Sequence, residues 1–209
     1  MATIRDAVNA TATSASRPPN RRQKALTEQH QREDAARLLR EGACVVLADR
    51  AADAVEEVRA GFAKQFGTDV VRAAVCDVTD EAQVSAAFAL AAREFGGIDI
   101  LVANAGIASS APIEETTIEL WNRNYDVLAQ GYFLTTKAAW PLMKRMKEQG
   151  GASVVFIGSK NGVAAATNAS AYASAKAGLA GLTRVTALDL APAQITANAI
   201  VPVAHTHVI

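Results

Sequence analysis

Between residues 43 and 201 the chain switches repeatedly between two hydrophobic patterns. ACVVLAD (43–49), DVVRAAV (69–75), IDILVANAG (98–106), ASVVFIGS (152–159) and ITANAIV (195–201) are short apolar runs. Continuous runs of this length read as strands buried on both faces. The segments between them repeat like helices. In 51–66, Val55, Val58, Phe62 and Phe66 share one face. Asp80 and Gln83 form a capping box ahead of a helix carrying Val84, Phe88, Ala91 and Phe95. A helical stretch over about 115–148 is expected to break near Pro141, and another helix spans 170–190. Upstream, Thr27 is a predicted helix cap with Glu28 in the first turn, and Gly42 ends that helix. Strands alternating with helices demand parallel pairing and right-handed crossovers. The fold class is α/β, a doubly wound parallel sheet in three layers, α/β/α.

The 209 residues carry 21 basic and 21 acidic side chains, so charge gives no case for nucleic acid or an anionic membrane. No run is long and apolar enough to span a bilayer, and no signal-peptide core is present. Cys44 and Cys76 sit in strand-like runs and read as buried thiols. His30, His205 and His207 have no carboxylate or cysteine at a metal spacing, so no metal is expected. A cytoplasmic protein is the expectation. Residues 1–26, rich in Ala, Thr and Ser and then Pro18-Pro19 and basic residues, form a disordered or atypical N-terminal segment. Residues 27–209 form the domain.

In an open α/β sheet, ligands sit beyond the carboxyl ends of the strands. There the sequence places Asp49, Asp77-Val78, Asn104-Ala105-Gly106 and Ser159. Any one of these suits a turn on its own; four strands ending this way favour a site. Asp49 has two readings, a hydrogen bond to a ribose 2′-OH or a cap for the helix over 51–66. Within ASAYASAKAG (169–178), Tyr172 and Lys176 are i and i+4 on one helical face. An ammonium beside a phenol favours the phenolate and draws its pKa down from about 10. Such a tyrosine exchanges a proton with a carbonyl or alcohol oxygen, and Ser159 can hold that oxygen. The small neighbours admit a cofactor or admit close helix packing.

These motifs resemble the short-chain dehydrogenase/reductase family from about Ala35 to Thr206. The carriers are ADR at 48–50, DV at 77–78, NAG at 104–106, Ser159, YASAK at 172–176 and NAIVP at 198–202. The resemblance implies a Rossmann-like sheet and hydride transfer between a nicotinamide and a small alcohol or ketone. It implies that Ser159 orients substrate and Tyr172 is the acid/base. Lys176 lowers the tyrosine pKa and binds nicotinamide ribose. It further implies cofactor contacts at Asp49, Asp77, Val78, Asn104, Ala105, Gly106, Pro202 and Thr206. NAD is expected over NADP because of Asp49. A homo-oligomer is expected through the helices over 115–148 and 170–190.

Three departures qualify these implications. No glycine occurs in residues 1–41, where the family carries a Gly-rich phosphate turn. The central strand before that turn should lie near 18–23, where PPNRRQ cannot form one. ATIRDAV (2–8) is an out-of-register substitute, so the sheet is expected to be incomplete. The family's DVN triplet is Asp126-Val127-Leu128 here, with Asn124 the candidate replacement for the missing asparagine. The resemblance also places a substrate lid and a last strand beyond Ile209. With no glycine turn, no central strand and Glu28 at a helix N-terminus, NAD binding is expected to be weakened. The alternative function is therefore a catalytically impaired or non-catalytic relative, a truncated or frame-shifted product, or an association module.

Overall fold

A computed structural model describes residues 6–11, 32–149, 151–164 and 166–202. It contains six parallel strands in the order β3-β2-β1-β4-β5-β6, the doubly wound arrangement. β1 is Asp6–Thr11, followed by α1 (32–40), β2 (Cys44–Asp49), α2 (Ala52–Phe66) and β3 (Val71–Val75). Then come α3 (Glu81–Phe95), β4 (Ile100–Ala103), α4 (Ile118–Tyr125) and α5 (Gly131–Met143). β5 (Ala152–Ile157), α6 (Ser170–Leu190) and β6 (Ile195–Ile200) complete the described elements. No helix among the described residues is long and apolar enough to cross a membrane.

The sheet corrects one expectation. The central place is filled, and by Asp6–Thr11 rather than by residues near 18–23. β1 pairs with β2 from Asp6↔Cys44 to Thr11↔Asp49, and with β4 from Ala7↔Ile100 to Ala10↔Ala103. Without it, the facing edges of β2 and β4 would leave two rows of backbone groups unpaired inside the fold. Spacing from an ordinary glycine turn therefore misplaced this strand. The predicted helix start at Thr27 and Glu28 lies outside the described residues.

The strands alternate between two faces, although β6 leaves Thr196, Asn198 and Ile200 exposed. Val45, Leu47 and Val71 pack with Ala35 and Leu39 of α1 and with Val55, Val58 and Phe62 of α2. Val46, Ala48, Leu101, Ala103, Val154 and Phe156 point the other way, onto α3, α5 and α6. α1 ends as expected at Gly42, whose φ of +88° suits glycine, with Gly42 N–H donating to Leu39 O and Ala43 N–H to Leu38 O. Asp80 caps α3 by accepting from Ala82 N–H and Gln83 N–H. Gln83 does not return the bond to the cap backbone; its Nε2 donates to Asp80 Oδ2 and its Oε1 accepts from Asp77 N–H.

The long helical stretch does not break at Pro141, which sits inside α5. Buried Ala139 and Met143 flank it and hold the last turn against the core despite the missing N–H. The irregularity lies earlier, in a π turn over Asp126–Gln130 closed by Gly131 N–H donating to Asp126 O. There α5 meets the turn after β3. A Cβ on Gly131 would lie 2.7 Å from Val78 Cγ2, and Val78 is buried. Gly131→Ala should therefore cost about 1–3 kcal/mol through overpacking, read as a lower urea midpoint. An unchanged midpoint would show that the turn yields without strain.

Candidate active site

Parallel pairing fixes where the candidate residues stand. Asp49 ends β2, Asp77 and Val78 follow β3, Asn104–Gly106 follow β4 and Ser159 follows β5, all at one edge of the sheet. α6 runs beside that edge. No side chain caps its N-terminus; instead Ala111 N–H donates to Asn168 O, with Asn168 at φ 58°, and Thr116 Oγ1 meets Ser170 Oγ at 3.1 Å. The loop after Ser159 presses directly on the helix. A Cβ on Gly162 would lie 2.7 Å from Lys176 O, so only glycine lets the Ser159 loop approach this closely.

This packing brings Ser159, Tyr172 and Lys176 together. Ser159 Oγ accepts from Asn161 N–H at 3.2 Å, and the Ser159 side chain lies near enough to Tyr172 to act on its titration. Burial pushes the Tyr172 phenol upward, with the nearby Ser159 acting against it. That reverses the lowered pKa expected from the sequence. The reason is geometric: Lys176 is turned elsewhere. Its Nζ donates to Ile157 O at 2.6 Å and to Tyr132 Oη at 3.0 Å, and Tyr132 Oη donates to Ile157 O at 2.9 Å. Burial lowers the Lys176 pKa from 10.5 to about 7.

Tyr132 is the residue that sequence reasoning missed. Its one signal was a tyrosine four positions beyond Leu128 in a helical stretch, which is indistinguishable from a core aromatic. Leu128 itself is fully buried in the core. Asn124, the candidate replacement for the absent helix asparagine, is fully buried too, but it does not face Lys176 through any hydrogen bond. Its Oδ1 accepts from Ser109 Oγ at 2.9 Å and its Nδ2 donates to Leu120 O at 2.7 Å.

The residues expected to meet a cofactor divide. Asn104 Nδ2 is buried with no hydrogen-bond partner, a donor suited to a ribose or phosphate oxygen. Ala105 is buried beside it, and Gly106 lies against Leu128. Asp49 Oδ1 accepts from Ala51 N–H at 2.8 Å, so the turn-stabilising reading is realised in part. Asp77 Oδ1 accepts from Thr79 N–H and Thr79 Oγ1, which holds the loop after β3. Val78 faces Gly131 in the core. Pro202 O accepts from Lys160 N–H at 3.3 Å, next to Ser159. Thr206, His30, His205, His207 and residues 12–31, where a phosphate turn would sit, lie outside the described residues. Of the grounds for expecting weak NAD binding, the missing central strand is overturned and the others fall in that segment.

A family model described as short chain dehydrogenase matches residues 32–206. The uncharacterized oxidoreductase YuxG of Bacillus subtilis (strain 168) is 41% identical over 166 residues, covering 79% of this chain and 24% of that protein. Trans-4-hydroxycyclohexanecarboxylate dehydrogenase of Sinomonas cyclohexanicum is 38% identical over 165 residues, 77% of this chain and 62% of that one. The chain thus spans less than two thirds of the length of either relative. The crystal structure of an NAD⁺-bound xylitol dehydrogenase matches with a TM-score of 0.79 at 29% identity, covering 96% of this chain and 71% of that one.

The buried amine has a consequence for stability. Lys176 titrates at about 7 in the folded chain and at its ordinary 10.5 when unfolded. Between those values the unfolded state binds more protons, so stability rises with pH, by at most about 1.4 kcal/mol per pH unit. Below pH 7 both states carry the charge and the contribution is flat. Urea unfolding of wild type and Lys176→Met across pH 6–11 checks this: the difference between the two should climb only above pH 7. A difference independent of pH would mean that Lys176 titrates normally.

Proposed function

The chain belongs to the short-chain dehydrogenase family, and on that premise we propose that it transfers hydride between NAD and a small secondary alcohol or its ketone. The observation that carries this reading is Ser159 beside Tyr172, with Lys176 one helical turn beyond Tyr172, at the carboxyl edge of the sheet. When bound, the nicotinamide supplies or accepts the hydride at the substrate carbon. Ser159 Oγ holds the substrate oxygen, and Tyr172 Oη gives that oxygen a proton in reduction or takes it in oxidation. A phenol raised by burial retains its proton, which suits donation to a ketone. Lys176, bound to Tyr132 and Ile157 O, presents its amine to the nicotinamide ribose.

Asn104, Ala105 and Gly106 hold the ribose side of the cofactor, with the unpartnered Asn104 Nδ2 as donor. Asp77 and Val78 flank the adenine through their backbone, Pro202 and Thr206 close the carboxamide side, and Asp49 takes the adenosine ribose. The NAD⁺-bound structural relative supports a nicotinamide dinucleotide. A carboxylate at Asp49 favours NAD over NADP by repelling a 2′-phosphate. The buried thiol of Cys76 fits a reducing, cytoplasmic setting. The small residues of α6 serve two purposes. Ala171 and Ala175 are buried on the core side, while nothing stands over Gly178 and Gly181. Gly178 borders a groove of about 550 Å³ lined by Phe133, Leu134, Leu179 and Leu182, which fits a homo-oligomer joined through α5 and α6.

Steady-state assays with NADH and a panel of cyclic and open-chain ketones test the assignment. Tyr172→Phe should cut kcat by about 10,000-fold and Ser159→Ala by about 100-fold, with folding intact. A Tyr172→Phe enzyme of near-normal rate removes the proposed chemistry. For the cofactor, Asp49→Ala should raise the NADP/NAD ratio of kcat/KM by roughly tenfold or more. Equal ratios in wild type and variant would leave Asp49 with only its turn. Sedimentation at micromolar concentration should give an oligomer that Phe133→Glu dissociates; a well-folded wild-type monomer argues against the helical interface.

A further inference from the structure

Three polar atoms close a triangle behind Tyr172. Lys176 Nζ, Tyr132 Oη and Ile157 O are 3.0, 2.9 and 2.6 Å apart, contributed by α6, α5 and β5. Tyr132 is 1% exposed and Lys176 6% exposed, so water does not compete for these bonds. The donors have a fixed order. Tyr132 has one hydroxyl proton and spends it on Ile157 O. That pins the phenol's rotation and aims its oxygen lone pairs at Nζ, which donates in return. Lys176 carries four rotatable bonds, and Ile157 O alone would leave its amine one acceptor and several rotamers. A second acceptor on a rigid ring, Nζ lying 4.9 Å from the ring centroid, leaves one arrangement.

We propose that Tyr132 is a positioning residue for Lys176. Its hydroxyl, anchored on Ile157 O, holds the lysine amine in one place between α6, α5 and β5 and stabilises the protonated amine against burial. The proposal rests on the reading of Lys176 as the residue that meets the cofactor. The groups that face the amine are few. Tyr132 comes from α5 and Ile157 O from β5, while Tyr172 on α6 and Ser159 after β5 do not act on the amine's titration. Asp126, on the π turn packed against α6, is exposed, and among the described residues no carboxylate acts on the amine's titration. The tyrosine hydroxyl is therefore the one side-chain acceptor that the ammonium has. It does not act as a proton donor to substrate, a role left to Tyr172.

Tyr132→Phe removes one oxygen and preserves the ring. In the full chain labelled with ¹³C-lysine, the Lys176 titration, assigned by its loss in Lys176→Met, should fall by about one pH unit in Tyr132→Phe because the charged form loses an acceptor. NADH, titrated by fluorescence, should bind about tenfold more weakly. A ketone's KM at saturating NADH should stay unchanged, since the substrate oxygen meets Ser159 and Tyr172. A tyrosine that merely fills the core would lower the unfolding midpoint and leave both the lysine titration and NADH affinity in place; that result overturns the proposal. Should Tyr132→Phe not fold, 3-fluorotyrosine placed at position 132 keeps the shape. Its ¹⁹F signal should titrate with the Lys176 midpoint and stop doing so in Lys176→Met. A ¹⁹F signal indifferent to that midpoint equally overturns it. A chain that reduced no ketone would refute the redox reading, and the lysine titration would still judge Tyr132.

Discussion

Everything at the candidate site hangs on parallel pairing around one central strand. β1 bonds β2 on one side and β4 on the other, so the carboxyl ends of β2 to β5 finish at one edge. Asp49, Asp77, Asn104 and Ser159 lie far apart in sequence and share a neighbourhood only because each follows a strand in that sheet. An antiparallel sheet would have sent alternate strand ends to the opposite edge. Helices cover one face along β2 to β6 and the other face at β2 and β3, while β6 keeps exposed positions.

Burial sets the protonation of the groups gathered there more than their mutual charge does. Tyr172 and Lys176 were expected to interact as phenolate and ammonium. In the folded chain the phenol is raised by desolvation and the amine is lowered to about 7, since each sits where its charged form is penalised. The two shifts favour a neutral phenol beside an amine close to its midpoint near neutrality. Tyr132 completes this arrangement with an acceptor that requires no charge.

Close backbone approaches let these side chains meet. Gly131 admits Val78 against the π turn, and Gly162 admits the Ser159 loop against Lys176 O. Both contacts lie beneath the distance any Cβ tolerates, so the placement of Ser159 against α6 depends on Gly162 in the turn that follows it. Most of the fold was legible: β2 to β6 and α2, α3 and α6 lie where the apolar periodicity put them. The central strand was not, because DAVNAT is short and weakly apolar and its place follows from the needs of β2 and β4. The passage of α5 through Pro141 was not legible either, since core packing of Ala139 and Met143 overrode a local preference.

The sequence by itself determined the alternation of strands and helices, the residues at the strand ends and the Tyr172/Lys176 spacing, because these depend on periodicity and on neighbours within a turn. Tertiary structure decided which strand is central, that the Asn104 amide lacks a partner, and that Lys176 faces Tyr132 and Ile157 O. Those outcomes depend on contacts between residues 19 to 93 positions apart, from Lys176–Ile157 to Ala7–Ile100, or on how deeply a group is buried. Neither quantity is written in any local stretch of the chain.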